Sequence, residues 1–290
     1  MSAFKFSLTD LDSQLVDIAL VEDLGVPSCD LTAQLLFSGE DEIGRVVLYS
    51  KETVQIVAAG LPLAEIIYQR FCPDIHCQHH VKDGAIVKPG EHLMTILGPS
   101  RALATAERTV LNFVRHLSGV ATLTRKFVDL VKGTPLKILD TRKTTPGLRH
   151  LEKYAVTCGG GMNHRMGLYD AVMIKDTHVD LLGGMEKALE KIPENFKSQV
   201  IVEVRNLKEL EIVLRHGQHK VNRVLLDNMS IEILQESVAL CGGKLETEAS
   251  GSINLKTIVE IAKTGVDYAS VGMLSHSAGQ VDLSIRGCPQ

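Results

Sequence analysis

Apolar positions along this chain fall into two textures. Up to about Gly98, helical and extended patterns mix irregularly: Leu15–Leu24 has helical spacing, Gly44–Lys51 reads as a strand and Leu61–Phe71 as a helix. The stretch DGAIVKPGEHLMTILG (83–98) predicts a short hairpin pair with turns at Asp83-Gly84 and Pro89-Gly90. It has the look of a biotinyl or lipoyl carrier, but no lysine sits at the tip of a tight turn, so a structural hairpin is expected. From Ser100 to about Val131 the apolar residues Val110, Leu111, Val114, Leu117 and Ala121 recur at helical spacing. They predict one or two long helices, with Ser118-Gly119 as the point where a break would fall. Arg108 and Arg115 lie two turns apart and so share a face.

From Leu136 the pattern becomes regular. β-rich runs at Lys137–Asp140, Ala171–Lys175, Val200–Val204, Arg223–Asp227, Leu245–Ala249 and Tyr268–Val271 alternate with helical segments. The helices predicted are Met185–Ile192, Leu207–Arg215, Ile231–Leu240 and Leu255–Lys263. Alternating βα units imply a parallel sheet with helical crossovers. Each run ends in a charged or small polar group: Arg142-Lys143, Lys175-Asp176, Glu203, Asp227, Ser250-Gly251 and Gly272. Positions 175, 203, 227, 250 and 272 are separated by 28, 24, 23 and 22 residues, a steady βα period. In a β/α barrel such ends share one rim, where active sites are built. A doubly wound open sheet uses its strand ends only near a switch point, so polar groups on all six strands favour the barrel.

Composition narrows the function classes. The 290 residues suffice for one large or two ordinary domains, and the net charge of −4 argues against nucleic acid as the main partner. The start MSAFKFSLTDLDSQL shows no basic segment followed by an apolar run, so no secretory signal is expected. No apolar stretch approaches the roughly 20 residues of a membrane span. Cys29, Cys72, Cys77, Cys158, Cys241 and Cys288 are scattered without a C-x-x-C pair, which suits reduced thiols in a cytoplasmic protein. Cys158, beside Gly159–Gly161, has no base placed for it as a nucleophile.

The rim residues taken together suggest a site. Arg142, Lys143, Arg165 and Lys175, with His164 adjacent, are cations in an acidic protein; residues 137–178 hold seven Lys/Arg against four Asp/Glu. Arginine's planar fork suits carboxylate and phosphate, so a polyanionic small molecule is expected. The turns EASGSI (248–253) and SVGMLSH (270–276) suit a phosphate, and Glu203 and Asp227 suit a metal ion or a cationic reaction centre. Each feature alone has a plain alternative: a strand-end carboxylate as a loop hydrogen-bonder, CGGGMNH as a flexible turn, His178 and His276 as surface histidines. Their combination on successive strands is what favours a site.

The block ILDTRKTTPGLRHLEKYAVTCGGGMNHRMGLYDAVMIKDTH (138–178) closely resembles the signature of the quinolinate phosphoribosyltransferases. The resemblance continues through ERTVLNFVRHLSGVAT (107–122), EVRNL (203–207), LLDNMS (225–230), EASGSI and SVGMLSHSA, and more loosely through ALVEDLGVPSCDLT (19–32). It implies an α/β protein, with a mixed α/β N-terminal domain followed by an incomplete TIM-like β/α barrel. The expected division is residues 1–115 and 116–276, with the tail 277–290 packing back on the first domain. The implied reaction joins phosphoribosyl pyrophosphate to quinolinate with Mg2+, giving nicotinate mononucleotide, pyrophosphate and CO2 in NAD biosynthesis. On matching positions, Arg142, His164, Arg165 and Lys175 would form the quinolinate pocket, with Arg108 from a neighbouring subunit of a homodimer or hexamer. Lys143, Ser250, Gly251, Gly272 and His276 would hold the phosphoribosyl donor. Lys143, Lys175, Glu203 and Asp227 would be catalytic, the two carboxylates also serving the metal. The family pattern departs at Thr177, where asparagine is usual, and at VPSCD (26–30), which replaces a more glycine-rich turn. Two alternatives stand beside this: a related phosphoribosyltransferase of other aromatic acids, such as the molybdenum-operon relative, and a non-catalytic polyanion-binding barrel.

Overall fold

The computed structural model of the chain describes residues 6–37, 42–217 and 219–288. Residues 1–5, which open the segment read for a secretory signal, and 289–290, which end the expected tail, lie outside the described residues. In chain order the elements begin with α1 (Asp10–Leu24), α2 (Leu31–Leu36), β1 (Ile43–Ser50), β2 (Ile56–Val57) and α3 (Leu61–Gln69). There follow β3 (His76–His79), β4 (Ile86–Val87), β5 (His92–Pro99) and the long α4 (Ser100–Leu130). The alternating part comprises β6 (Lys137–Leu139), α5 (Arg149–Cys158), β7 (Val172–Ile174), α6 (Asp176–Leu182), α7 (Met185–Glu190) and β8 (Val200–Val204). It continues with α8 (Leu207–His216), β9 (Arg223–Asp227), α9 (Ile231–Cys241), β10 (Glu246–Ser250) and α10 (Ile258–Lys263). The chain closes with β11 (Tyr268–Ser270), α11 (Met273–His276) and β12 (Leu283–Gly287).

Two compact units result, one taking Met1–Arg125, Thr145–Gly160 and Ser277–Gln290, the other Lys126–Thr144 and Gly161–His276. The boundary expected between residues 115 and 116 falls inside α4, and the segment carrying α5 is counted with the first unit.

The first unit is mixed α/β. Its antiparallel sheet has the order β12-β1-β5-β3, so the last strand of the chain pairs with the first, from Val46 opposite Gly287 to Ser50 opposite Leu283. Local chemistry sets its helix ends. Thr9 and Asp12 form a reciprocal capping box on α1, and Asp30 accepts the Ala33 N–H at 2.8 Å to start α2. Asp83 accepts the N–H groups of Gly60 and Leu61, at 2.7 and 3.1 Å, where α3 begins. The expected hairpin over 83–98 does not form: β4 pairs with β2, while β5 lies between β1 and β3. Both glycine turns exist, with Gly84 and Gly90 at φ +86° and +75°, but the runs after them find longer-range partners. The long helix is unbroken at Gly119. Glycine is needed there because a side chain would collide with the Gly279 carbonyl. The stripe Val110, Leu111, Val114, Leu117 and Ala121 is buried.

The second unit is the incomplete β/α barrel. Six parallel strands run β6-β11-β10-β9-β8-β7, and among the described residues no pairing joins β7 back to β6. The interior pattern is set by the period of two: Leu225 and Asp227, Glu248 and Ser250, and Met173 and Lys175 face one cavity. The residues between them, Ile174, Leu226 and Ala249, are buried on the opposite face of the sheet. Among the described residues no helix is long and apolar enough to cross a membrane.

Candidate active site

At the C-terminal ends of the six strands lies a cavity of about 550 Å³, the size of a small-molecule site. It is lined by Arg142, Lys143, His164, Arg165 and Lys175, by Glu203, Asp227 and Glu248, and by the turns at Ser250–Ile253 and Ser270–Met273 with His276. Every residue expected at the site lines this cavity except Arg108, which is exposed on α4. Arg115 does not share its environment: its Nε donates to the Val281 carbonyl at 3.0 Å and ties the C-terminal segment to α4.

The cations are fixed from behind. Asp140, buried at the end of β6, accepts the His164 N–H at 2.8 Å and the Asn163 side-chain amide at 2.5 Å. Arg165 Nη1 donates to the Ala171 carbonyl at 3.1 Å, which swings its fork toward the rim. Burial, and next the charge of Arg142, hold the Arg165 guanidinium below its usual range. Arg142 Nε is buried with no hydrogen-bond partner among the described residues. Two neighbouring guanidiniums with an unsatisfied donor favour an anionic ligand with more than one carboxylate. Ser275 Oγ donates to the Lys143 carbonyl at 2.9 Å, holding the exposed Lys143 at the mouth.

The carboxylates that line the same cavity are crowded. Burial, then the charges of Asp227 and Asp176, push the Glu203 carboxyl above its usual range, although Lys175 works against this. Accumulated negative charge of this kind suits a divalent cation held by one or two carboxylates and completed by water and substrate phosphate. No cluster of three or more His, Cys, Asp or Glu with the spacing of a full protein cage occurs among the described residues. Glu203 and Asp227 are hard oxygen donors, the ligand type that Mg2+ takes from a protein as one or two carboxylates.

The rest of the lining includes tight backbone. Gly251 has φ +98° and is followed by Ser252 at +51°; a side chain at Gly251 would run into Asn228, itself at +51°. A Cβ on Gly272 would stand 3.2 Å from both His276 Nε2 and Lys143 Cδ, so glycine keeps this end of the cavity open. His178 does not face the site: its Nδ1 accepts the Lys175 N–H at 2.9 Å at the start of α6. Thr177 is exposed and does not line the cavity. Sequence reasoning passed over Glu248, although the period of two offered a signal, since it lies two residues before Ser250 on an inward-facing strand.

Residues 30–118 match the N-terminal domain, and residues 120–286 the C-terminal domain, of quinolinate phosphoribosyl transferase. A quinolinate phosphoribosyltransferase [decarboxylating] of Nicotiana tabacum is 37% identical over 292 residues, covering 94% of this chain and 81% of the relative. The chloroplastic nicotinate-nucleotide pyrophosphorylase [carboxylating] of Arabidopsis thaliana is 36% identical, with the same coverage of 94% and 81%. The solved nicotinate-nucleotide pyrophosphorylase of Francisella tularensis superposes with a TM-score of 0.90 at 38% identity, covering 98% of each chain. Matched by both domains of the family and by relatives along nearly its whole length, the chain belongs to the quinolinate phosphoribosyltransferases.

Proposed function

We propose that this chain is a nicotinate-nucleotide pyrophosphorylase (carboxylating), a pentosyltransferase of NAD biosynthesis. It transfers phosphoribosyl from phosphoribosyl pyrophosphate to quinolinate with release of pyrophosphate and CO2. The observation that carries this reading is the pair Arg142 and Arg165, like charges with an unsatisfied buried donor, in one cavity with the carboxylates Glu203 and Asp227. The guanidiniums suit a dianionic acceptor, the carboxylates a reaction centre that becomes positive.

In the mechanism, Arg142, Arg165 and Lys175, with His164 beside them, grip the two quinolinate carboxylates and exclude water from them. Lys143, Ser250, Gly251, Gly272 and His276 hold the phosphoribosyl donor. The ring nitrogen attacks ribose C1 as pyrophosphate departs, through a cationic ribosyl transition state that Glu203 and Asp227 stabilise. Glu203 and Asp227 would also hold Mg2+, which supplies charge neutralisation for the leaving pyrophosphate when bound. Once the ring nitrogen is ribosylated, the carbon–carboxylate bond beside it breaks; CO2 leaves, the electron pair stays on the ring carbon, stabilised by the adjacent cationic nitrogen, and a proton from water completes nicotinate mononucleotide. Lys175, beside that carboxylate, guides the orientation in which the bond breaks.

The enzyme works as a homodimer or larger oligomer in which Arg108 completes a neighbour's quinolinate pocket. Its exposure supports this, as does the apolar surface that Leu11, Ile18, Val21, Leu31 and Leu35 leave on α1 and α2. A cytoplasmic setting is supported by six cysteines that are all free thiols. The test is product analysis with Mg2+, phosphoribosyl pyrophosphate and either quinolinate or nicotinate. Nicotinate mononucleotide and CO2 from quinolinate are expected; turnover of nicotinate alone, or donor binding without pyrophosphate release, would overturn the reading.

A further inference from the structure

Beneath the cavity runs an ion chain that the mechanism leaves unused. Glu248 is fully buried on β10. Its Oε2 accepts from Arg223 Nη1 at 3.0 Å, and Arg223 Nη2 donates to Glu246 at 2.9 Å. The Arg223 guanidinium lies 3.7 Å over the Tyr268 ring, whose hydroxyl donates to Glu246 at 3.0 Å. On its other side Glu248 Oε1 stands 3.4 Å from His164 Nε2.

The second nitrogen of that histidine decides the chemistry. His164 Nδ1 accepts the Arg165 backbone N–H at 2.7 Å. A ring nitrogen that accepts carries no proton, so a neutral imidazole here is protonated on Nε2, toward Glu248. An ionised carboxylate only accepts, and therefore selects this tautomer. Burial alone would raise the Glu248 carboxyl, but the nearness of His164 and the charge of Arg223 outweigh it and hold the carboxyl below its usual range.

We propose that Glu248 is a positioning residue for quinolinate recognition, holding His164 as its Nε2–H tautomer so that Nδ1 anchors the Arg165 backbone at the substrate pocket. The proposal rests on the quinolinate reading of the cavity. In Glu248→Gln the amide oxygen is drawn to the Arg223 donors and the amide NH2 is left facing His164. The imidazole must then accept at Nε2 and protonate Nδ1, which opposes the Arg165 N–H.

Nitrogen NMR of the full chain labelled with 15N-histidine, the His164 signals assigned by their loss in His164→Gln, reads the tautomer without any turnover. The parent is expected as Nε2–H and Glu248→Gln as Nδ1–H or a mixture. In steady-state assays the same variant should raise KM for quinolinate about tenfold while KM for phosphoribosyl pyrophosphate stays within about twofold. Glu248→Asp, which keeps the charge, should restore the Nε2–H tautomer and part of the quinolinate KM. An Nδ1–H or doubly protonated His164 in the parent, an unchanged tautomer in Glu248→Gln, or an equal rise in both KM values would overturn the proposal. If the parent fails to convert quinolinate, the substrate reading falls, and the tautomer measurement still decides whether Glu248 governs His164.

Discussion

Arg142 sits close enough to Arg165 to disfavour the Arg165 charge, a cost that a bound dicarboxylate would relieve. Removing either anchor of that ligand should therefore fall on the acceptor. Arg142→Ala and Lys175→Ala are each expected to cut kcat/KM for quinolinate by roughly ten- to hundredfold, as charge-assisted hydrogen bonds of about 1.5–3 kcal/mol are lost. Parental turnover in either variant would count against the assignment. Gly251→Ala acts on the other substrate: with φ at +98° and Asn228 in the way, it should raise KM for phosphoribosyl pyrophosphate and spare that for quinolinate. Glu248 adds a pH signature. Its folded-state pKa lies below the ordinary 4.5, so its contribution to stability is present above that value and is lost as pH falls through the lower one. Thermal unfolding should show Glu248→Gln further below the parent near neutrality than around pH 4; a constant gap would contradict this.

Elements tell a more uneven story. The barrel strands were legible because β/α alternation leaves a double signature, apolar runs ended by polar rim groups, and β8 and β9 run over the same residues that the pattern predicts. Helix α5 was not legible as an element, since its sequence RHLEKYAVTC mixes charged residues with apolar ones; Glu152 and Lys153 are themselves buried in it. Glu152 explains part of this, accepting the Thr145 N–H at 3.1 Å and lying 2.9 Å from His116 Nε2, contacts that no local pattern announces. The misread hairpin has the same origin, because strand partners chosen at long range leave no trace in a window of a dozen residues. Gly119 in α4 makes the point testable. Helix propensity favours alanine there by about 1 kcal/mol, yet the Gly279 carbonyl occupies the space a Cβ needs. Gly119→Ala should lower stability by roughly 1–3 kcal/mol in denaturant titration, and a gain would mean the C-terminal segment yields easily.

For the whole molecule, the site residues lay scattered over more than a hundred positions, and only the assumption of a common rim joined them. That assumption worked for eleven residues of one cavity; it could not reach Glu248, whose importance lies in what it touches below the rim. Arg108 poses the remaining question at this scale. Mixing Arg108→Ala chains with Lys175→Ala chains should restore roughly a quarter of parental activity if two-fold related subunits share sites and exchange freely. No recovery above the separate variants would place Arg108 outside the catalytic unit. The pairing of β12 with β1 has a consequence for how the chain is made. During synthesis β1 leaves the ribosome some 240 residues before the strand that covers its edge, so the first unit starts early and finishes last. Until then the nascent chain carries an open strand edge, a template for wrong partners. Loss of the strand Leu283–Gly287 should thus tell on the yield of soluble protein before it tells on catalysis.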